Sequence, residues 1–250
     1  MHNKIVALVT GATRGLGFEA SRQLAGLGYT VLIGARDIDK GRSVAAELAE
    51  ENLDAVAVQL DVSDSSSIDA VVALIEANYG RLDILVNNAA ILNDIGKQPS
   101  EVDEQTLRQN LDVNFVGPYL LTKKLSPLIK AAPAGRVLNM GTQVGAFANL
   151  ADPESPIKDD ICPAYQASKI ALNSSTVLFA KEFAGTTARI NSVCPGWVMT
   201  DMGHEDLPDY GDAVKPLSPA EAVAAYMFLL KSDNKTPNGQ FFNNGKNIAW

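Results

Sequence analysis

Histidine and cysteine are nearly missing from this chain: His2, His204, Cys162 and Cys194 are all it has in 250 residues. That scarcity excludes a disulfide framework and a Cys- or His-rich zinc site, and two free thiols suit a reduced, cytoplasmic setting. No metal is expected. Positive charge is also short, with 21 Lys and Arg against 29 Asp and Glu and a net charge of −8. Phosphate-backbone binding needs clustered cations, so nucleic acid is not an expected partner. Long apolar runs are absent too. The longest uncharged stretch, Val137 to Ala151, is interrupted by Asn, Gly and Thr and falls short of the roughly 20 apolar residues a spanning helix requires, so no membrane partner is expected. The start, MHNKIVALVT, carries no secretory pattern.

What is present is ample core material, at 46% apolar residues, without a linker, repeat or charge block to divide it. One domain over 1–250 is the expectation. Short apolar runs rich in β-formers (KIVALV, YTVLIG, DAVAVQL, LDILVNN, GRVLNM and ARINSVC) alternate with helical patterns near 15–27, 38–51, 64–79, 101–131, 163–184 and 218–230. A last short strand is placed at Gly239 to Phe242, giving seven. Such alternation predicts an α/β fold with a mostly parallel sheet and helices on both faces, a three-layer, doubly wound arrangement. Segments 145–164 and 200–217 lack periodicity and gather prolines, and they read as functional loops.

The first strand runs into Thr10-Gly11-Ala12-Thr13-Arg14-Gly15-Leu16-Gly17 and then into an amphipathic helix. Glycines there permit a tight turn and a close backbone approach, so that helix N–H groups face a pyrophosphate. A turn of this kind serves equally as a plain β-α connection. The tip of the second strand adds information: NAD sites carry an acid there for the ribose 2′-hydroxyl, and this chain has Gly34-Ala35-Arg36. With Arg14 in the turn as well, two guanidiniums suit a 2′-phosphate, pointing to NADP(H); otherwise both are ordinary surface charges.

Tyr165 and Lys169 stand four apart at the start of a predicted helix, on one face. At about 4 Å and an effective dielectric near 20, their attraction amounts to about 4 kcal/mol, or about three pK units on the phenol. The spacing therefore predicts a Tyr moved from about 10 toward neutrality, fit for general acid or base work.

With those residues in hand, the chain resembles the short-chain dehydrogenase/reductase family along nearly its whole length. The resemblance is carried by Thr10 to Gly17, Asp61-Val62, Asn87-Asn88-Ala89-Ala90, Asn114 in VNFVG, Tyr165 to Lys169, and Pro195-Gly196 with Thr200. Within the family it is similar to monomeric carbonyl reductases, through CPGWVMTDM at Cys194 to Met202 and the GQFF tail ending in Trp250. The resemblance implies a Rossmann fold with strand order 3-2-1-4-5-6-7. It also implies that Tyr165 gives a proton to a carbonyl, that Lys169 holds the nicotinamide ribose and lowers the phenol pKa, and that Asn114 relays protons through water. Cofactor contacts would come from Gly11, Thr13, Arg14, Gly15, Leu16, Gly17, Arg36, Asp61, Val62, Asn88, Ala89, Tyr165, Lys169, Pro195, Gly196, Val198 and Thr200, with Asn87 near the ribose and Asp61 and Val62 at the adenine.

Two departures stand out. The family's usual catalytic Ser is replaced by Thr142, which keeps the hydroxyl donor but adds a methyl. Thr142 also precedes Tyr165 by more residues than is common, the extra segment including Ala148 to Cys162; a longer insertion there is associated with a monomer, so a monomer or small homo-oligomer is expected. Asp201, Glu205, Asp206, Asp209 and Asp212 against Lys215 make the expected substrate lid (200–217) acidic, which either disfavours anionic substrates or marks a plain solvated loop. Trp197 and Phe147 are candidates for an apolar pocket wall. The reading is an NADPH-dependent reductase of an aldehyde or ketone, a small-molecule substrate. Its alternatives are a secondary-alcohol dehydrogenase working oxidatively and a non-catalytic NADP(H) redox sensor.

Overall fold

Strand β1 (Val6–Thr10) is buried along its full length, as a continuous apolar run flanked by helices on both faces requires. The structure is a computed structural model and describes residues 4–203, 216–231 and 236–250. Around β1 lie β2 (Thr30–Ala35), β3 (Ala55–Gln59), β4 (Ile84–Asn87), β5 (Arg136–Met140), β6 (Arg189–Cys194), β7 (Phe241–Asn243) and β8 (Lys246–Ile248), in the order β3-β2-β1-β4-β5-β6-β7-β8. All pairings are parallel except β7 with β8. The order reverses between β1 and β4, so their carboxyl ends open a crevice where doubly wound sheets bind ligands.

Helices α1 (Gly15–Gly26), α2 (Ile38–Glu50) and α8 (Pro219–Tyr226) cover one face, where Val9, Val31 and Ile33 pack against Leu24, Leu48 and Tyr226. On the other, Leu8, Leu32 and Leu85 meet Ile68 of α3 (Ser65–Tyr79), Leu125 of α5 (Gly117–Ala131) and Phe179 of α7 (Pro163–Glu182). Neighbouring residues of β1 thus serve opposite cores. Fully burying one such side chain contributes about 1.5–3 kcal/mol.

Three expectations change. An eighth strand follows the seventh through Asn244-Gly245, whose φ angles of 44° and 73° suit the tight two-residue hairpin turn that Asn-Gly favours. The helical pattern near 101–131 is not one helix: α4 (Glu104–Leu111) passes through a π-turn (Asp112–Val116) into α5. The aperiodic 145–164 stretch holds a short helix, α6 (Phe147–Ala151). No helix of the described residues is long and apolar enough to cross a membrane.

Candidate active site

The glycine turn is built as an open backbone cradle. Gly11 and Gly15 have φ of 61° and 54°, which favours glycine, and a Cβ on Gly11 would lie 2.9 Å from Ala89 Cα. At Gly17 a Cβ would come within 2.5 Å of both the Gly11 carbonyl oxygen and Asn88 Nδ2. Asn88 secures the turn, its Nδ2 donating to the carbonyls of Thr10 and Gly11 at 2.9 and 3.1 Å, while Thr10 Oγ1 accepts from the Asn88 and Ala89 amides.

The helix that follows is open to an anion. Asp37, Asp64, Asp103 and Ser218 cap α2, α3, α4 and α8, whereas α1 has no side-chain cap and no acid in its first turn. Its leading amides and positive dipole end are therefore available to a phosphate, and the cradle fits a dinucleotide pyrophosphate. Thr13 and Leu16 lie in this turn, Leu16 also packing on the core. Thr200 closes over the turn from the Pro195–Thr200 loop, where a Cβ on Gly15 would meet its Cγ2 at 3.2 Å. Gly196 turns that loop at φ 83°, and Val198 is anchored by a bridge to Leu217.

At the tip of β2, exposed Arg36 faces a hollow shared with Asp61, Asp64, Ser66 and Ser67. Asp61 is turned back on its own loop, its Oδ1 accepting from the Ser63 amide and hydroxyl. Val62 is buried beneath the start of α5, where a Cβ on Gly117 would come within 2.3 Å of the Val62 carbonyl oxygen. Arg14 does not stand free: its Nη1 bonds Asp201 at 2.7 Å, with both side chains about three-quarters exposed. Such a pair is worth about 0.5 kcal/mol, so a phosphate competes with it easily. Asn87 departs from expectation. Its Nδ2 points into the core, donating to Asn139 Oδ1 at 2.8 Å and Thr122 Oγ1 at 3.1 Å, instead of toward a ribose.

Across the crevice, the fold brings Asn114, Thr142, Tyr165 and Lys169 together. Lys169 Nζ is buried, donates to the Met140 carbonyl at 2.8 Å and lies 5.5 Å from the centre of the Tyr165 ring. Gly145 lets the Thr142 segment approach, since a Cβ there would be 2.6 Å from Lys169 Cβ and 3.3 Å from Thr142 Cγ2. Thr142 Oγ1 accepts from the Val144 amide at 3.4 Å, which leaves its hydroxyl hydrogen to donate elsewhere. Asn114 sits in the π-turn, a distortion often found at functional sites. Its side chain is fully committed: Oδ1 accepts from the Ile91 amide, and Nδ2 donates to the Ile91 carbonyl and to Ser168 Oγ, which in turn donates to the Tyr165 carbonyl.

The expected acidification of Tyr165 is not met. Burial pushes its phenol up, with Cys162, Cys194 and Asp94 adding to the effect, although the residue as a whole is only half-buried. Burial also draws Lys169 down to about 7. Desolvating both groups outweighs their attraction, because the Lys169 ammonium bonds a backbone carbonyl and not the phenol oxygen.

Three residues escaped the sequence reading. Asp94, Asn110 and Ser168 are buried beside the constellation, and Asn110 links Asn93 to Asn114. A buried Asn or Ser within a helix carries no local signal of such contacts, and Asp94 stands among LNDIG, which reads as an ordinary turn.

The sequence model of the family described as short chain dehydrogenase matches residues 5–211. The chain belongs to the short-chain dehydrogenase/reductase family. This family member is 32% identical to "Carbonyl reductase [NADPH] 1" of Sus scrofa, covering 99% of this chain and 95% of that protein. It is 30% identical to "(+)-neomenthol dehydrogenase" of Arabidopsis thaliana, over 94% and 95% of the two chains. The crystal structure of NADPH-bound carbonyl reductase from chicken fatty liver matches with a TM-score of 0.84 and 25% identity over the full length of both chains. It is thus an oxidoreductase of the CH–OH/C=O type with a nicotinamide-dinucleotide cofactor, in a Rossmann-like α/β fold.

The described part of the segment expected to form a lid includes a short 3₁₀ turn at Asp201–Gly203. His204, Glu205, Asp206, Asp209, Asp212 and Lys215 lie outside the described residues. Phe147 is 65% exposed, and Ala148 donates its amide to the Trp250 carbonyl, tying α6 to the tail, where Trp250 stacks on Phe241.

Proposed function

We propose that the protein is an NADPH-dependent reductase of aldehydes or ketones, with the chain acting as one dinucleotide-binding unit and Tyr165 as the proton donor. The observation that carries this reading is the convergence of Tyr165, Lys169 and Thr142 opposite an uncapped glycine turn. NADPH, when bound, would supply the hydride for the carbonyl carbon. Gly11 to Gly17 would hold its pyrophosphate, Arg14 and Arg36 its 2′-phosphate, and Lys169, Val198 and Thr200 the nicotinamide end. Thr142 Oγ1 donates to the carbonyl oxygen, and Tyr165 Oη delivers the proton to that oxygen as charge develops there. Reduction needs the phenol in its protonated form, which burial favours, whereas oxidation needs phenolate. The carbonyl reductase relatives support the same direction, while the neomenthol dehydrogenase relative keeps secondary alcohols in view.

The test is loss of NADPH absorbance across a panel of ketones, quinones and aldehydes, repeated with NADH. Turnover of a neutral carbonyl with a clear NADPH preference is expected. Equal use of NADH refutes the two-arginine assignment, and no turnover despite NADPH binding refutes the reductase. For the hydroxyl, Thr142→Val is expected to lower kcat roughly 10²-fold, while Thr142→Ser stays active. Full activity in the Val variant would remove Thr142 from the chemistry.

A further inference from the structure

Helix α7, which carries Tyr165 and Lys169, begins with one local tie, the Gln166 side chain accepting from the Cys162 amide at 3.3 Å, and with no side-chain cap on the leading amides from its own neighbourhood. Its N-cap is Cys162, whose side chain makes no capping hydrogen bond, and Pro163 follows. The cap comes instead from 70 positions earlier. Asp94, 1% exposed in the loop after β4, accepts through Oδ2 from the Ala164 amide at 2.6 Å and from the Tyr165 amide at 3.4 Å. A second tie lies alongside, the Gly96 amide donating to the Ile161 carbonyl at 2.7 Å. Asp94 Oδ1 is buried without a hydrogen-bonding partner among the described residues, which is more than a purely structural cap needs.

We propose that Asp94 is a positioning residue for Tyr165, its carboxylate seating the first turn of α7 and presenting a buried negative charge to the phenol. The inference rests on the role assigned above to Tyr165. A carboxylate is welcome at a helix N-terminus, and Asp94 sets one against the leading amides of α7. Among the described residues, the titratable groups that act on the phenol are Lys169 of α7, Cys162 at its N-cap, Cys194 of β6 and Asp94 from the loop after β4. Cys162 is itself pushed up to about 12, first by burial and then by Asp94 and Asp160, and stays a neutral thiol. Lys97, near in sequence, has its ammonium 3.9 Å from Asp103. Among the described residues, Asp94 is thus the carboxylate that acts on the phenol, and negative charge there disfavours phenolate. The sign follows: removing it lets the phenol ionise at lower pH.

Two variants and one reference separate the outcomes, assayed with the carbonyl turned over fastest in the panel and with its alcohol. Asp94→Asn keeps an acceptor oxygen for the Ala164 amide but no charge; reductive kcat near pH 7 is expected within about threefold of wild type. The rising limb of its oxidative pH profile should move to lower pH. Asp94→Ala loses both features, and kcat is expected to fall roughly 10–100-fold with the KM for NADPH within about twofold, because the glycine turn is untouched. An unshifted profile in Asp94→Asn overturns the proposal even if Asp94→Ala does not fold. So does wild-type kcat in Asp94→Ala while Tyr165→Phe is inactive. Wild-type turnover by Tyr165→Phe instead overturns the reading of the site on which the proposal rests.

Discussion

Replacing Tyr165 by Phe is expected to lower reductive kcat by about 10²–10⁴-fold while NADPH binds as before. The substitution deletes one oxygen and keeps the ring, so the contact of Lys169 Nζ with the ring face and the packing around it persist. Without the phenol, the oxygen of the reacting carbonyl must take its proton from water or from Thr142, a far weaker acid. The check is kcat beside an NADPH binding isotherm and a melting curve. Loss of kcat with unchanged affinity and Tm assigns the effect to the proton; kcat within threefold of wild type would remove Tyr165 from the reaction.

Gly17→Ala carries the second large effect. In most helices that exchange stabilises by about 1 kcal/mol. Here the added methyl would sit 2.5 Å from the Gly11 carbonyl oxygen and from Asn88 Nδ2, the amide that holds the turn closed. One of the two must give way, and backbone gives least. Overpacking of this kind costs about 2 kcal/mol, a fall of about 5 °C in Tm for a chain of this size. The displaced turn should also raise the Kd for NADPH about 10²-fold. Gly26→Ala is the control, since a methyl there meets nothing within 4 Å, and it should leave both quantities unchanged or raise Tm slightly. Wild-type NADPH affinity in Gly17→Ala would mean that the cofactor does not lie on this turn.

The legible part of this protein was written in local pattern. Strands β1 to β6 came from apolar runs that a doubly covered sheet must bury, and the glycine turn from residues that alone tolerate its backbone. The pairing of Tyr165 with Lys169 followed from helical spacing. What was missed depends on residues far apart in the chain. The π-turn at Asp112–Val116 accompanies the clamp of Asn114 on Ile91, 23 positions away, and no periodicity announces it. Asp94 reads as a turn residue until the fold sets it under α7. Asn87 and Asn88 are adjacent and identical, yet one bonds into the core and the other braces the cradle, because successive side chains leaving a strand point oppositely. The direction of the Tyr165 shift has the same origin, as spacing gives the attraction and only packing gives the desolvation. The eighth strand is the exception: Asn244-Gly245 is a readable hairpin signal that the short tail concealed.

Titration of the Tyr165 phenol in the free protein, as the ultraviolet difference between wild type and Tyr165→Phe, bears most directly on the proton donor. With burial holding the proton on, no ionisation from this residue should appear between about pH 6 and pH 9, below the ordinary tyrosine value of about 10. A phenolate forming near neutrality would contradict that state of the site and restore Lys169 as the group that governs its acidity.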